Sequence, residues 1–240
     1  MESPASKSLL PWFLLVSRSV LFVFFQGVIA LLLAAGDSQS PWNASARWWV
    51  FDVILTNLIS IYLLFRLFQI EGQRYLDLLR FSRQTVKKDL LWFFGSGIVG
   101  LPIVAAPMYS LGTALFGDRM IPVEMMFRPL PAWALVIGLL FPLTIGFAEL
   151  PTYFGYVMPR LATQLKNGWL AWGLASLFLA GQHAFMPLIL DGRFMLWRFG
   201  MYVPFAFFAG LMLKFRPGLL PYFMIMHVLM DISTLAVYLM

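Results

Sequence analysis

The chain has no cysteine, which removes disulfides, thiolate metal ligands, S-acylation and any cysteine nucleophile at one stroke. Histidine is nearly absent as well, with two in 240 residues. Charged side chains make up 12%, against roughly 25% in an ordinary soluble domain, so a water-soluble surface is not available. No internal repeat, low-complexity tract or soluble domain is visible. What the chain has in excess is apolar: 61% of residues are hydrophobic, and the mean hydropathy is +0.81. These values describe an integral membrane protein.

A helix crossing the hydrocarbon core needs about 20 largely apolar residues, because lipid offers no partner to exposed backbone groups. Runs of that kind lie at 9 to 35, 48 to 69, 90 to 116, 132 to 158, 169 to 190, 199 to 214 and 219 to 240. They predict an all-α fold, a polytopic membrane bundle of about seven transmembrane helices. The sixth is the weakest. Its apolar stretch between Arg198 and Lys214 holds 15 residues and needs bilayer thinning or shelter inside the bundle. Arg18 interrupts the first run and divides it into two candidate pieces, LLPWFLLVS at the interface and SVLFVFFQGVIALLLAA across the bilayer. The second piece exceeds the h-region of a secretory signal peptide and further spans follow, so it is expected to be retained. The expected organisation is a single bundle, with residues 1–131 supplying the first three spans and a basic loop, and residues 132–240 the remaining helices.

The formal charge is +6. In a membrane protein the placement of Lys and Arg carries more information than their sum, and no nucleic-acid partner is expected. With the N-terminus inside, the inner segments hold Lys7, Arg66, Arg74, Arg80, Arg83, Lys87, Lys88, Arg160, Lys166, Lys214 and Arg216, and the outer loops hold Arg47, Arg119, Arg128, Arg193 and Arg198. This asymmetry predicts a cytoplasmic N-terminus in a cell inner membrane. Most of it comes from the loop EGQRYLDLLRFSRQTVKKDL, residues 71 to 90, where Tyr75, Leu78, Leu79 and Val86 recur at helical spacing, as expected of a helix lying on an anionic leaflet. The sequon at Asn43, Ala44 and Ser45 falls on the outer side and matters only in a secretory pathway.

Ionisable groups near the bilayer centre cost about 2.5 to 3.5 kcal/mol each on insertion scales, which makes them default functional candidates. Glu149 precedes Arg160 by eleven residues and His227 follows Arg216 by eleven. At about 1.5 Å per residue, both sit roughly 16 Å from the inner basic landmarks, close to mid-membrane. His183, eight residues before Asp191, falls at a similar depth. Asp231 is one turn beyond His227 on the same helical face. Each group alone has a bland reading, as an interhelical hydrogen-bonding partner or a protonated, paired acid. Four at one depth on three helices make independent structural explanations less economical. Asp52 and Arg66 lie near the ends of their span, where snorkelling suffices, and FMIM before His227 reads as packing or lipid-facing residues.

Two imidazoles and one or two carboxylates around a buried water can hydrolyse an amide. A carboxylate takes the proton from water, an imidazole shares it, and further donors stabilise the oxyanion. The same Glu149, His183 and His227 could instead bind a metal; no cofactor is required, but zinc is possible, since two imidazoles and a carboxylate suit it. Other intramembrane protease designs fit poorly. Neither histidine belongs to HExxH, the nearest approach to GxSG is FGSG at 94 to 97, and GxGD does not occur.

These residues resemble the CAAX protease and bacteriocin-processing (Abi) family. Its first motif, EExxxR followed by a stretch like GYLLPRL, is approached by ELPTYF and GYVMPRL, with Glu149, Gly155, Pro159, Arg160 and Leu161 in matching places. Its second, FxxxH, is met in part by LAGQH, with Leu179 and His183; its third is met by HVLMD, with His227 and Asp231. The similarity covers about residues 132 to 240. It implies an intramembrane endopeptidase acting on a membrane-associated peptide or protein, in which Glu149 and His183 activate water while His227 and Asp231 stabilise the oxyanion or orient the site. Leu150 and Phe154 depart from it, standing where the motif has its second glutamate and its arginine. Those departures motivate a rival expectation, a catalytically inactive relative serving as a membrane scaffold or immunity protein. Buried Glu, His and Asp also form proton relays in transporters, a third class that no discontinuous repeat supports here.

Overall fold

A computed structural model describes residues 8–239; Lys7, counted above among the inner charges, lies outside them. The chain is a helical bundle: α1 (Leu10–Ala35), short α2 (Pro41–Ser45), α3 (Trp49–Ile70), α4 (Val86–Phe116), short α5 (Ile121–Met126), α6 (Ala132–Gly138), α7 (Leu140–Leu150), α8 (Met158–Leu165), α9 (Gly168–Gln182), α10 (Gly192–Phe215) and α11 (Leu220–Ala236). Among the described residues, six helical runs are long and apolar enough to cross a membrane. One of these joins α6, α7 and α8 into a rod of 34 residues. The protein is an all-α polytopic membrane bundle.

The expected seventh crossing is where sequence and structure differ. Hydropathy places a full span at 169 to 190 and a weak one at 199 to 214. In the structure α9 is the short helix, 15 residues, while α10 has 24 and begins at Gly192. The cause is local. Pro187 biases Met186 toward extended backbone, so α9 passes into a single tight turn at His183–Phe185 and stops. Asp191 caps α10 by accepting from the Arg193 and Phe194 amides, which starts that helix before Arg198. The irregular backbone between the two helices is served by buried side chains. Gln26 of α1 accepts from the Leu188 amide at 2.7 Å and donates to its carbonyl at 3.0 Å, and Arg198 donates to the Met186 carbonyl at 2.7 Å. Non-helical chain within a membrane bundle requires partners of this kind.

Two further expectations are corrected. Arg18 does not break the first span: α1 is continuous through it, and the side chain is fully buried. The 71 to 90 loop is not a long interfacial helix. Its helical parts are one short turn, Tyr75–Leu79, and the first residues of α4 from Val86, and Tyr75 is buried in the core. Pro151 explains the docking. A proline has no N–H to return to the carbonyl four residues earlier, Phe147, and the Tyr75 hydroxyl donates to that oxygen instead. The chain then widens into a π-type segment, Pro151–Val157, directly after Glu149.

Apolar side chains form two cores. One gathers Leu14, Leu64, Leu150, Tyr153, Leu179, Phe205 and Phe223; the other gathers Phe22, Trp49, Val53, Phe141, Ile145, Trp197 and Leu235. Both draw on residues before and after position 131. On α1, α3 and α11 buried or half-buried polar side chains stand between the two cores: Arg18 on α1, Thr56, Asn57 and Ser60 on α3, His227 and Asp231 on α11. A polar layer is thus enclosed between two apolar ones.

Candidate functional site

Glu149 sits in that layer, 1% exposed, at the last turn of α7. Its two oxygens have different surroundings. Oε2 accepts from Gln182 Nε2 at 2.7 Å and lies 3.8 Å from His183 Nε2 and 3.9 Å from Arg18 Nη2. Oε1 lies 3.7 Å from His227 Nε2. The helices α7 and α11 and the turn that ends α9 therefore bring the acid and both imidazoles to one point.

The tautomer of His183 follows from its partner. Nδ1 is 2.9 Å from the Leu179 carbonyl, which can only accept, so Nδ1 carries the proton and the neutral ring presents a lone pair at Nε2. The ring is held flat against Tyr202, with centroids 3.5 Å apart and planes 17° apart. His227 Nε2 is 3.2 Å from Asp231 Oδ2, an ion-pair distance without hydrogen-bond alignment; that oxygen and His227 Nδ1 are buried without a hydrogen-bond partner. His227 and Asp231 are the more open members of the set, 12% and 16% exposed, against 3% for His183.

Among the described residues no group of three histidine, aspartate or glutamate side chains is arranged to hold a metal ion. The Glu149, His183 and His227 set, the one zinc would need, does not fit as it stands. Gln182 occupies one Glu149 oxygen, and His227 Nε2 is shared between that acid and Asp231.

Several residues around the site escaped sequence reasoning. Arg18, set aside as an interruption, donates to Gln182 Oε1 at 2.7 Å, Ser60 Oγ at 3.1 Å and Asn57 Oδ1 at 2.9 Å. Arg198, counted as an outer-loop charge, is 2% exposed within α10 and lies beneath Tyr202, its guanidinium carbon 5.2 Å from the ring centre. Asp52, expected to snorkel, is 1% exposed, with Thr56 Oγ1 at 3.5 Å. An arginine inside an apolar run was the available signal for Arg18. Nothing marks Gln182 except its place beside His183.

An apolar cavity of about 350 Å³ lies between α4, α10 and α11, lined by residues that include Gly97, Gly100, Phe205, Phe223, Met226 and Met230. Met226 and Met230 each precede a site residue, His227 and Asp231, on α11, but none of Glu149, His183, His227 and Asp231 lines this cavity. No family model, no curated protein and no solved structure matches the chain.

Proposed function

We propose that the protein is an intramembrane endopeptidase that hydrolyses a peptide bond of a membrane-associated substrate with a water activated by Glu149 and His183. The observation that carries this reading is the convergence of one carboxylate and two imidazoles, 3.7 and 3.8 Å apart, in a buried polar layer. Those separations are too long for direct hydrogen bonds; a water bonded to both partners spans about 4.4 Å, so admitting one takes an opening of about half an ångström. Glu149 and the His183 Nε2 lone pair are both acceptors, the pair needed to hold the two protons of one water, and Gln182 leaves Glu149 Oε1 unengaged. In the reaction the water oxygen bonds to the peptide carbonyl carbon as its proton passes to Glu149. His227, with the Asp231 carboxylate 3.2 Å from its Nε2, donates to the oxyanion. The C–N bond then breaks and the amine leaves with the proton held by Glu149.

This assignment agrees with the motif resemblance to the CAAX protease and bacteriocin-processing family, which rests on the motifs alone. The proposed placement is a cell inner membrane with the N-terminus in the cytoplasm, following the basic inner segments.

A second reading is a non-catalytic scaffold or immunity partner. It is favoured by Leu150 and Phe154, both buried and apolar where the motif carries a charge pair, and by the enclosure of Glu149. The discriminating experiment replaces Glu149 with Gln and His183 with Ala. Loss of cleavage of an identified substrate supports the peptidase, while an intact biological phenotype in Glu149→Gln supports the scaffold.

A further inference from the structure

Arginine can only donate hydrogen bonds, and that fact fixes the orientation of a neighbouring amide. Arg18 Nε lies 2.7 Å from one end of the Gln182 side chain, so that end must be the carbonyl oxygen. The other end is then the NH2 group, and it meets Glu149 Oε2 at 2.7 Å, where an acceptor would be repelled. Turning the amide over would set a donor against a donor and an oxygen against a carboxylate.

Arg18 is itself immobilised. Its Nη1 and Nη2 donate to Ser60 and Asn57 of α3, and Asn57 Nδ2 donates to Thr144 Oγ1 on α7 at 3.1 Å. The guanidinium is thereby referenced to the helix that carries Glu149, five residues further on. Arg18, Asn57 and Gln182 are fully buried. At 3.9 Å, Arg18 Nη2 does not hydrogen-bond to Glu149 directly, so its directional influence passes through Gln182.

We propose that Arg18 and Gln182 form a positioning relay that pins Glu149 Oε2 and reserves Oε1 for the face shared with His227. The geometric part stands independently of any reaction; its catalytic consequence rests on the reading of Glu149 as the general base. The relay also supplies from α1 and α9 the polar support that Leu150 and Phe154 do not give Glu149 from its own rod.

The test uses the full chain in nanodiscs with isotope-labelled glutamine side-chain amides. The Gln182 resonance is assigned by its loss in Gln182→Leu. Arg18→Met and Glu149→Gln are each expected to move it, because the first removes the donor to its carbonyl and the second replaces the charged acceptor of its NH2 group with a neutral one. Arg18→Lys keeps the charge but cannot reach Gln182, Ser60 and Asn57 together, so it moves the same resonance and covers the case in which Arg18→Met fails to fold. A Gln182 signal indifferent to both Arg18 variants would overturn the relay. On an identified substrate, Arg18→Met is expected to lower kcat by about 100-fold with KM changed by less than about two-fold. Arg18→Met combined with Gln182→Leu should be no worse than the poorer single variant, whereas multiplying losses would contradict a shared path. If Glu149→Gln still cleaves while the resonance coupling holds, the peptidase reading fails and the relay survives.

Discussion

Gly146 of α7 faces the Met224 carbonyl of α11 so closely that a Cβ placed on it would lie 3.0 Å from that oxygen and 2.5 Å from Val228 Cγ2. Membrane helices lack a hydrophobic drive toward one another and approach closely where a side chain is missing. This approach lies one turn from Glu149 on one helix and beside His227 on the other, so the glycine sets the spacing of the acid and the imidazole.

Gly146→Ala is therefore expected to cost about 1–3 kcal/mol, since a backbone oxygen cannot step aside as a side chain can. Thermal unfolding in detergent measures the loss. Cleavage should fall by more than about 10-fold, because the variant moves His227 from Glu149. An alanine variant as stable and active as wild type would show that the crossing has room to spare.

The contact between Tyr75 and Phe147 predicts a compensating pair. Tyr75→Phe removes the donor to a carbonyl that Pro151 cannot serve, at a cost of about 1–3 kcal/mol. Pro151→Ala restores an N–H to the same carbonyl, so the double variant should recover much of the stability lost in Tyr75→Phe. Strictly additive effects in unfolding measurements would rule out the shared acceptor.

Leu150 is fully buried, and Phe154 packs where a Cβ on Gly210 would lie 2.7 Å from its ring. A Leu150→Glu variant places a charge in that core and is expected to lose about 3–5 kcal/mol, as for a buried charge without its partner. Adding Phe154→Arg should return part of that loss. Absence of any coupling between the two would show that positions 150 and 154 do not act as a pair.

Outside the membrane-spanning runs, Glu71 ties the end of α3 to Arg160 of α8. Partial burial opposes ionisation, but hydrogen bonds from Arg160 and Tyr156 outweigh it and hold the Glu71 carboxyl below its ordinary range. A lowered folded-state value means that the stabilisation is complete above the unfolded carboxylate value, about 4.3, and is lost as pH falls through the lower folded one. Glu71→Gln should lower stability at neutral pH and flatten its decline below about pH 4. A Glu71→Gln profile parallel to wild type across that window would show that the pair contributes nothing.

How much of this was legible in the sequence depended on distance along the chain. Apolar runs and the depth of Glu149, His183 and His227 can be counted from neighbouring residues, and the helical bundle follows from them. Arg18 and Gln182 are 164 residues apart, and neither carries local information about the other. Hydropathy therefore read a buried arginine as the end of a span, once at Arg18 and again at Arg198. Run length also cannot weigh a proline against a cap, which is why α9 and α10 exchanged their expected lengths. Tyr75 was read as an interfacial residue because the carbonyl it serves is created by Pro151, far downstream.

The most direct test reconstitutes the full chain in liposomes with a library of membrane-anchored peptides in heavy-oxygen water and compares wild type with Glu149→Gln. The account predicts new carboxyl termini carrying one heavy oxygen from wild type, and no such products from the variant. Cleavage by Glu149→Gln at the wild-type rate would contradict it.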